Sequence, residues 1–411
     1  MASPVTAAEV RSTPGQVPAS LRRQWLAVGL AGTAALAGAY AWWSPSRAVP
    51  GHWPWLAGGV WLYLWWFTGR RLNTHRPVAA GPVSDRLGPG NLLTLARGWL
   101  IAGLAGCLLA PSAAGPGAWL PMALYTSADV FDYLDGYLAR RSRQQSALGE
   151  ALDLELDALG VLLAVSLAIA YGRLPLIFLP VGLARYGFAL LLWIRRRTGR
   201  PLQDLGPSAI RRPLAGLAMG FISVALWPIF DRPELTLAGW IFFTPFVVSF
   251  VRDGLVVSGV LDPADDRYQR WRSWLRQLVL GLAPLPLRAA AAVFAAYQAP
   301  RLLDPAADLM GGLELIGLTP AAMVAPAFGG VILLAAGAML AGWAGRLAAF
   351  VMLFPLGLTI GAIGLDPLRS VGLAATLGVL ILGSGRWSLW QPSERIFARR
   401  AGEALQPSEG E

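Results

Sequence analysis

Asp132, Asp135, Asp153 and Asp157 are the residues whose types and spacing could do chemistry. They stand in Asp132-Tyr-Leu-Asp135-Gly136-Tyr-Leu-Ala139-Arg140, followed after eight residues by Gly149-Glu-Ala-Leu-Asp153-Leu-Glu-Leu-Asp157. Four unneutralised carboxylates beside a membrane suffer desolvation and mutual repulsion, and divalent cations relieve both. Hard oxygen donors suit Mg²⁺ or Mn²⁺, with two ions expected; one cysteine and two scattered histidines argue against zinc. Gly136 and Gly149 leave room for a ligand or a facing helix, and Arg140 is placed for charge-assisted bonds to phosphates. The chemistry implied is metal-assisted transfer of a phosphate ester. Cations would neutralise a pyrophosphate and stabilise its leaving oxygen, while one carboxylate takes a proton from an alcohol.

Helices must carry these groups. Asp132 and Asp135 then lie about one turn apart on one face, as do Asp153 and Asp157. The intervening RSRQQSALG lets the chain reverse, so the pairs can converge near the cytoplasmic surface. Asp129, a turn before Asp132, could join them, whereas Glu150 and Glu155 are expected to face loop or solvent. The bland alternative is a polar helix interface; the two pairs together with both glycines and Arg140 favour a site.

The surrounding composition is that of an integral membrane protein. Of 411 residues, 55% are hydrophobic and only 14% charged, and long apolar runs extend along the whole length. Many of the 18 Trp flank these runs, among them Trp42, Trp53, Trp55, Trp193, Trp274 and Trp387, as expected of a headgroup-level belt. The formal charge of +10 comes from Arg alone, and its concentration in particular loops fits topology better than a nucleic-acid groove, so no nucleic-acid partner is expected. About twelve spans are expected, with both termini and the acidic cluster cytoplasmic. Residues 1–88 read as a tail and two extra spans, 89–258 as a six-span core, 259–276 as a charged linker, 277–390 as a four-helix block and 391–411 as a polar tail. Lone Cys107 excludes disulfide scaffolding. His52 and His75 read as interfacial or solvated residues.

The acidic segment resembles the signature of the CDP-alcohol phosphotransferases, Asp-x2-Asp-Gly-x2-Ala-Arg-x8-Gly-x3-Asp-x3-Asp, and matches it at every fixed position. Upstream, GPGNLLTLARG resembles the family's first-helix region through Asn91, Thr94 and Arg97, with Gly90 replacing the usual proline and loosening the helix start. Read without the resemblance, Asn91 could be a helix cap and Arg97 a snorkelling residue. The resemblance implies an all-α polytopic fold with a six-helix family core and extra helices at both ends. It also implies that Asp132, Asp135, Asp153 and Asp157 hold a dinuclear metal centre with Asp157 as general base. Asn91, Arg97, Asp132, Gly136, Ala139, Arg140 and Gly149 would line the CDP site. Arg211, Arg212 and Arg252 are candidates for an acceptor phosphate, against a reading as topology charges alone.

The implied reaction moves a substituted phosphate, phosphatidyl in the usual case, from a CDP-linked lipid such as CDP-diacylglycerol to an alcohol, releasing CMP in phospholipid biosynthesis. Membrane lipids and a second copy of the chain are the other expected partners, and a bacterial inner membrane the expected location. GWAGRLAAF and GSGRWSLW give the last block a likeness to small DoxX-like membrane domains, from which no activity is carried over. A transporter would instead place acidic groups near the bilayer midplane with repeat symmetry, and no strict internal repeat is found. An inactive scaffold descended from an enzyme would not need the intact constellation.

Overall fold

The computed structural model describes residues 17–45, 49–76, 83–109, 115–142, 146–203, 205 and 211–391, without the side chains of Pro116, Ala139, Arg140, Ser142, Arg211 and Arg212. The described elements are helical. Their contacts divide the chain into two compact units, Met1–Ala164 and Val165–Glu411, and the division falls inside one helix.

The first unit contains α1 (Ala19–Trp43), α2 (Trp53–Arg70), α3 (Pro89–Gly106), α4 (Leu120–Ser142) and most of α5 (Ala147–Ala170). The neighbours α1 and α2 approach closely because glycines face indoles. A Cβ on Gly32 would lie 2.1 Å from the Trp61 ring, and one on Gly29 2.3 Å from the Trp65 ring. Trp25 and Trp65 stack at 4.9 Å, each indole N–H donating to the other's backbone carbonyl. Trp53 and Trp61 are thus core residues, not the belt expected of Trp53; Trp42, Trp55, Trp193, Trp274 and Trp387 are exposed. Leu21, Phe67, Leu72, Leu87, Leu95, Leu148 and Leu152 form one apolar cluster that ties the segment before residue 89 to the ends of α3 and α5. Pro89, not residue 90, supplies the proline at the start of α3, so the substitution at Gly90 leaves a proline-initiated helix.

The second unit contains α6 (Leu179–Arg197), α7 (Arg211–Ala225), α8 (Arg232–Val257), α9 (Asp266–Arg276), α10 (Pro284–Leu303), α11 (Ala307–Leu315), α12 (Ala321–Ala341), α13 (Gly345–Ile363) and α14 (Pro367–Leu382). A capping box of Asp231 and Glu234 opens α8. Helices α6, α7 and α14 pack on α8, and α10 packs on α12 and α14. A π-helical turn, Gln277–Leu282, joins α9 to α10, so the expected charged linker is largely the exposed start of a 38-residue helical segment. Arg288 of α10 is buried without a carboxylate partner among the described residues. Its Nε donates to the Met339 carbonyl at 2.6 Å and its Nη1 to the Ser384 carbonyl at 2.9 Å, while Nη2 donates to Leu340. Met339 and Leu340 end α12, where backbone carbonyls lack helical donors and a cation is favoured.

The expectation of twelve spans is overturned. Among the described residues, six helical segments are long and apolar enough to cross a membrane: Ala19–Trp43, Leu176–Arg197, Arg232–Val257, Asp266–Leu303, Ala321–Ala341 and Gly345–Ile363. The apolar stretches Pro213–Ala225 and Pro367–Leu382 are too short. Helices α4 and α5 carry the acidic residues, α3 carries Arg97, and α2 is rich in Trp, which has little aliphatic character. The chain is an integral, all-α membrane protein with several spanning helices.

Candidate metal centre

Three helices of the first unit bring the acidic residues together. The sequence periodicity puts Asp132 and Asp135 on one face of α4, Asp153 and Asp157 on one face of α5, and α3 packs along α4. Asp132, Asp135 and Asp153 each offer a carboxylate oxygen within 4.8 Å of the others. Three hard, anionic donors at that separation fit a small divalent cation, whose oxygen ligands surround it at about 2.0–2.6 Å for Mg²⁺ or Ca²⁺ and which a modest side-chain rotation would bring within reach.

Arg97 sits behind them at 1% exposure. Its Nη1 donates to Asp132 Oδ1 at 2.5 Å and to Asp153 Oδ1 at 2.9 Å, and its Nη2 donates to Asp157. One guanidinium therefore aligns carboxylates from both α4 and α5, so Arg97 faces the acidic cluster. Asp157 stands on this guanidinium, outside the group of three closely spaced oxygens. Thr94, one turn before Arg97, donates its hydroxyl to Asp135 Oδ2 at 2.9 Å and fixes the remaining carboxylate. Burial makes these bonds consequential: a carboxylate drawn from water must be held by donors or cations.

At the neighbouring end of α3, Asn91 is buried beside Gly149 of α5. A Cβ at Gly149 would lie 2.7 Å from the Asn91 amide oxygen, so glycine is required for this approach. Ser146 caps α5: its Oγ accepts from the Gly149 N–H at 3.1 Å. His75 is buried against Ser146 and Asn91, contrary to the solvated or interfacial placement expected of it. The loop prolines near His75 suggest exposure, and only the tertiary contacts reveal otherwise; Ser146 is legible as a serine three residues before Gly149 at a helix start. Glu155 is half-exposed, as its expected place at solvent requires, and accepts a 2.6 Å hydrogen bond from Tyr63 there.

Gly136 lies on α4 one residue beyond Asp135, while the side chains of Ala139 and Arg140 lie outside the described residues. Arg211 and Arg212 occupy the start of α7, again without described side chains. Arg252 belongs to the second unit, where its Nη1 meets Asp253 at 2.9 Å and its Nε donates to the Tyr268 hydroxyl at 3.0 Å. A phosphate recruited by Arg252 would compete with both.

Residues 89–251 match the family model for CDP-alcohol phosphatidyltransferase. Comparison with curated proteins and with solved structures gives no match.

Proposed function

Because residues 89–251 form a domain of the CDP-alcohol phosphatidyltransferase family, whose reaction transfers a substituted phosphate from a CDP-linked alcohol, we propose that this protein transfers phosphatidyl from CDP-diacylglycerol to an alcohol at a centre of two Mg²⁺ or Mn²⁺ ions. The convergence of Asp132, Asp135 and Asp153 is the observation that carries this reading. Bound cations would supply Lewis-acid stabilisation of the pyrophosphate and its leaving oxygen.

The chain's own groups divide the remaining work. Asp132, Asp135 and Asp153 would hold the metal, with Asp157 beside them as the fourth carboxylate. Thr94 and Arg97 keep these carboxylates in register. Asp157 takes the proton from the acceptor hydroxyl. The acceptor oxygen forms a new bond to the β-phosphorus of the donor as the phosphoanhydride bond breaks, and CMP leaves. Asn91, Gly136, Ala139, Arg140 and Gly149 line the nucleotide side. Arg211, Arg212 and Arg252 are the candidates for an anionic acceptor, because a guanidinium can bind phosphate in a bidentate way. A cytoplasmic orientation of the site is supported by Arg70, Arg71, Arg76, Arg86, Arg140, Arg141 and Arg143 in the segments leading into it.

The test is CMP release by purified protein given CDP-diacylglycerol, Mg²⁺ or Mn²⁺ and a panel of phosphorylated and neutral alcohols, with lipid products identified by mass spectrometry. Asp135→Asn should lower CMP release by about 10²-fold through loss of transition-state metal stabilisation. Wild-type protein that yields no CMP with any acceptor, or an Asp135→Asn protein with undiminished turnover, would remove the reading.

A further inference from the structure

Resting on the CDP-alcohol reading, we propose that His75, which precedes the matched domain, is a positioning residue for the nucleotide half of the donor: acting through Ser146, it fixes Asn91 and Gly149. His75 is 3% exposed. Its Nε2 lies 2.8 Å from the Arg86 carbonyl oxygen, which can only accept, so Nε2 carries the proton. Nδ1 is left as an acceptor, 3.1 Å from the Ser146 hydroxyl and 3.4 Å from the Asn91 amide nitrogen. Ser146 therefore donates to His75, and its oxygen accepts from the Gly149 N–H at 3.1 Å and from the Asn91 amide at 3.5 Å.

This chain of bonds sets the direction of each member. The Asn91 amide oxygen faces the space that the missing Cβ of Gly149 leaves, while its nitrogen faces His75 and Ser146. Asn91 is thus held from two sides, by a contact that only glycine permits and by the acceptor that Nδ1 supplies when the ring proton sits on Nε2. The buried side chains of Leu72, Leu87 and Leu148 belong to the adjoining apolar cluster. Water has little access to compete for these donors, so losing the imidazole leaves buried polar groups unpaired. The segment ahead of the family domain thereby contributes to the geometry of the site as well as to anchoring.

The experiment uses the full chain, CDP-diacylglycerol and the acceptor of the panel that gives most CMP. His75→Ala should raise the donor KM and weaken inhibition by CMP, each about ten-fold, with the acceptor KM and the Mg²⁺ requirement within about two-fold of wild type. His75→Asn keeps an acceptor where Nδ1 stood and should restore most of the donor KM. His75→Gln keeps only the donor to Arg86 and should not. Ser146→Ala should reproduce the His75→Ala effect, and the double variant should be no worse than either. Rescue by Gln and not by Asn would assign His75 to tethering the loop and overturn the proposal, as would an unchanged donor KM in every variant. If His75→Ala unfolds, the ranking of Asn against Gln at matched thermal stability decides. Wild-type protein that releases no CMP overturns the underlying reading and this inference with it; normal wild-type turnover with indifferent variants overturns the inference alone.

Discussion

Arg97 divides one guanidinium among three carboxylates, which makes it both a scaffold and a brake on repulsion. Arg97→Gln keeps some hydrogen bonding but leaves Asp132, Asp153 and Asp157 without their cation. The guanidinium is buried but the three carboxylates are more than a third exposed, so the loss is screened to about 1–3 kcal/mol, and thermal unfolding in detergent should register it. Added Mg²⁺ should raise the melting temperature of Arg97→Gln by more than it raises that of wild type, because the metal then does the neutralising that the side chain no longer does. An equal Mg²⁺ increment in both proteins would contradict this account. At this scale the sequence was informative where spacing alone decides: a three- or four-residue interval on a helix places carboxylates on one face. It was silent on the direction of Arg97, whose long side chain can snorkel or turn inward according to helices distant in sequence. His75 was obscured for the same reason, since burial of a loop side chain depends on Ser146 and Asn91, which the fold brings from 71 and 16 residues away.

Between elements, the pairing of α1 with α2 depends on glycines that accept indole rings. Gly32→Ala places a methyl 2.1 Å from the Trp61 ring, and an indole packed at 2% exposure has little freedom to retreat. Overpacking of this kind costs about 1–3 kcal/mol, to be read as a lower unfolding temperature. Gly59→Ala, with open space where its Cβ would go, is the control and should leave stability unchanged or slightly raised. Apolar runs made most of the helices legible, but neither their membrane role nor their ends. Helices α3, α4 and α5 combine an apolar background with charges that serve one another, so hydrophobicity along the chain does not separate a span from a helix that carries a site. The fusion of α9 with α10 through a π-turn was equally hidden, because the charged stretch before Gln277 looks like a linker until its backbone is seen to remain helical.

Across the whole molecule, family boundaries and packing boundaries differ. The matched residues 89–251 cross the division at Ala164, and α8, most of which lies within the match, packs against α14 from outside it. The sequence showed a separate last block because its composition changes after residue 258, whereas packing follows which faces need covering. The convergence of Asp132, Asp135 and Asp153 was legible because they fall in one short stretch of chain. Arg288 carries a consequence for the order of events during synthesis. Its acceptors at Met339, Leu340 and Ser384 are translated 51 to 96 residues after it, so the nascent α10 reaches the bilayer with a guanidinium that nothing yet satisfies. An unsatisfied Arg in an apolar segment disfavours insertion, and α10 should therefore wait beside the insertion machinery until α12 and the turn after α14 emerge. In nascent chains stalled with only residues up to 320 exposed, a cysteine placed in α10 should still react with a water-soluble thiol reagent, and Arg288→Leu should abolish that delay while loosening the finished bundle.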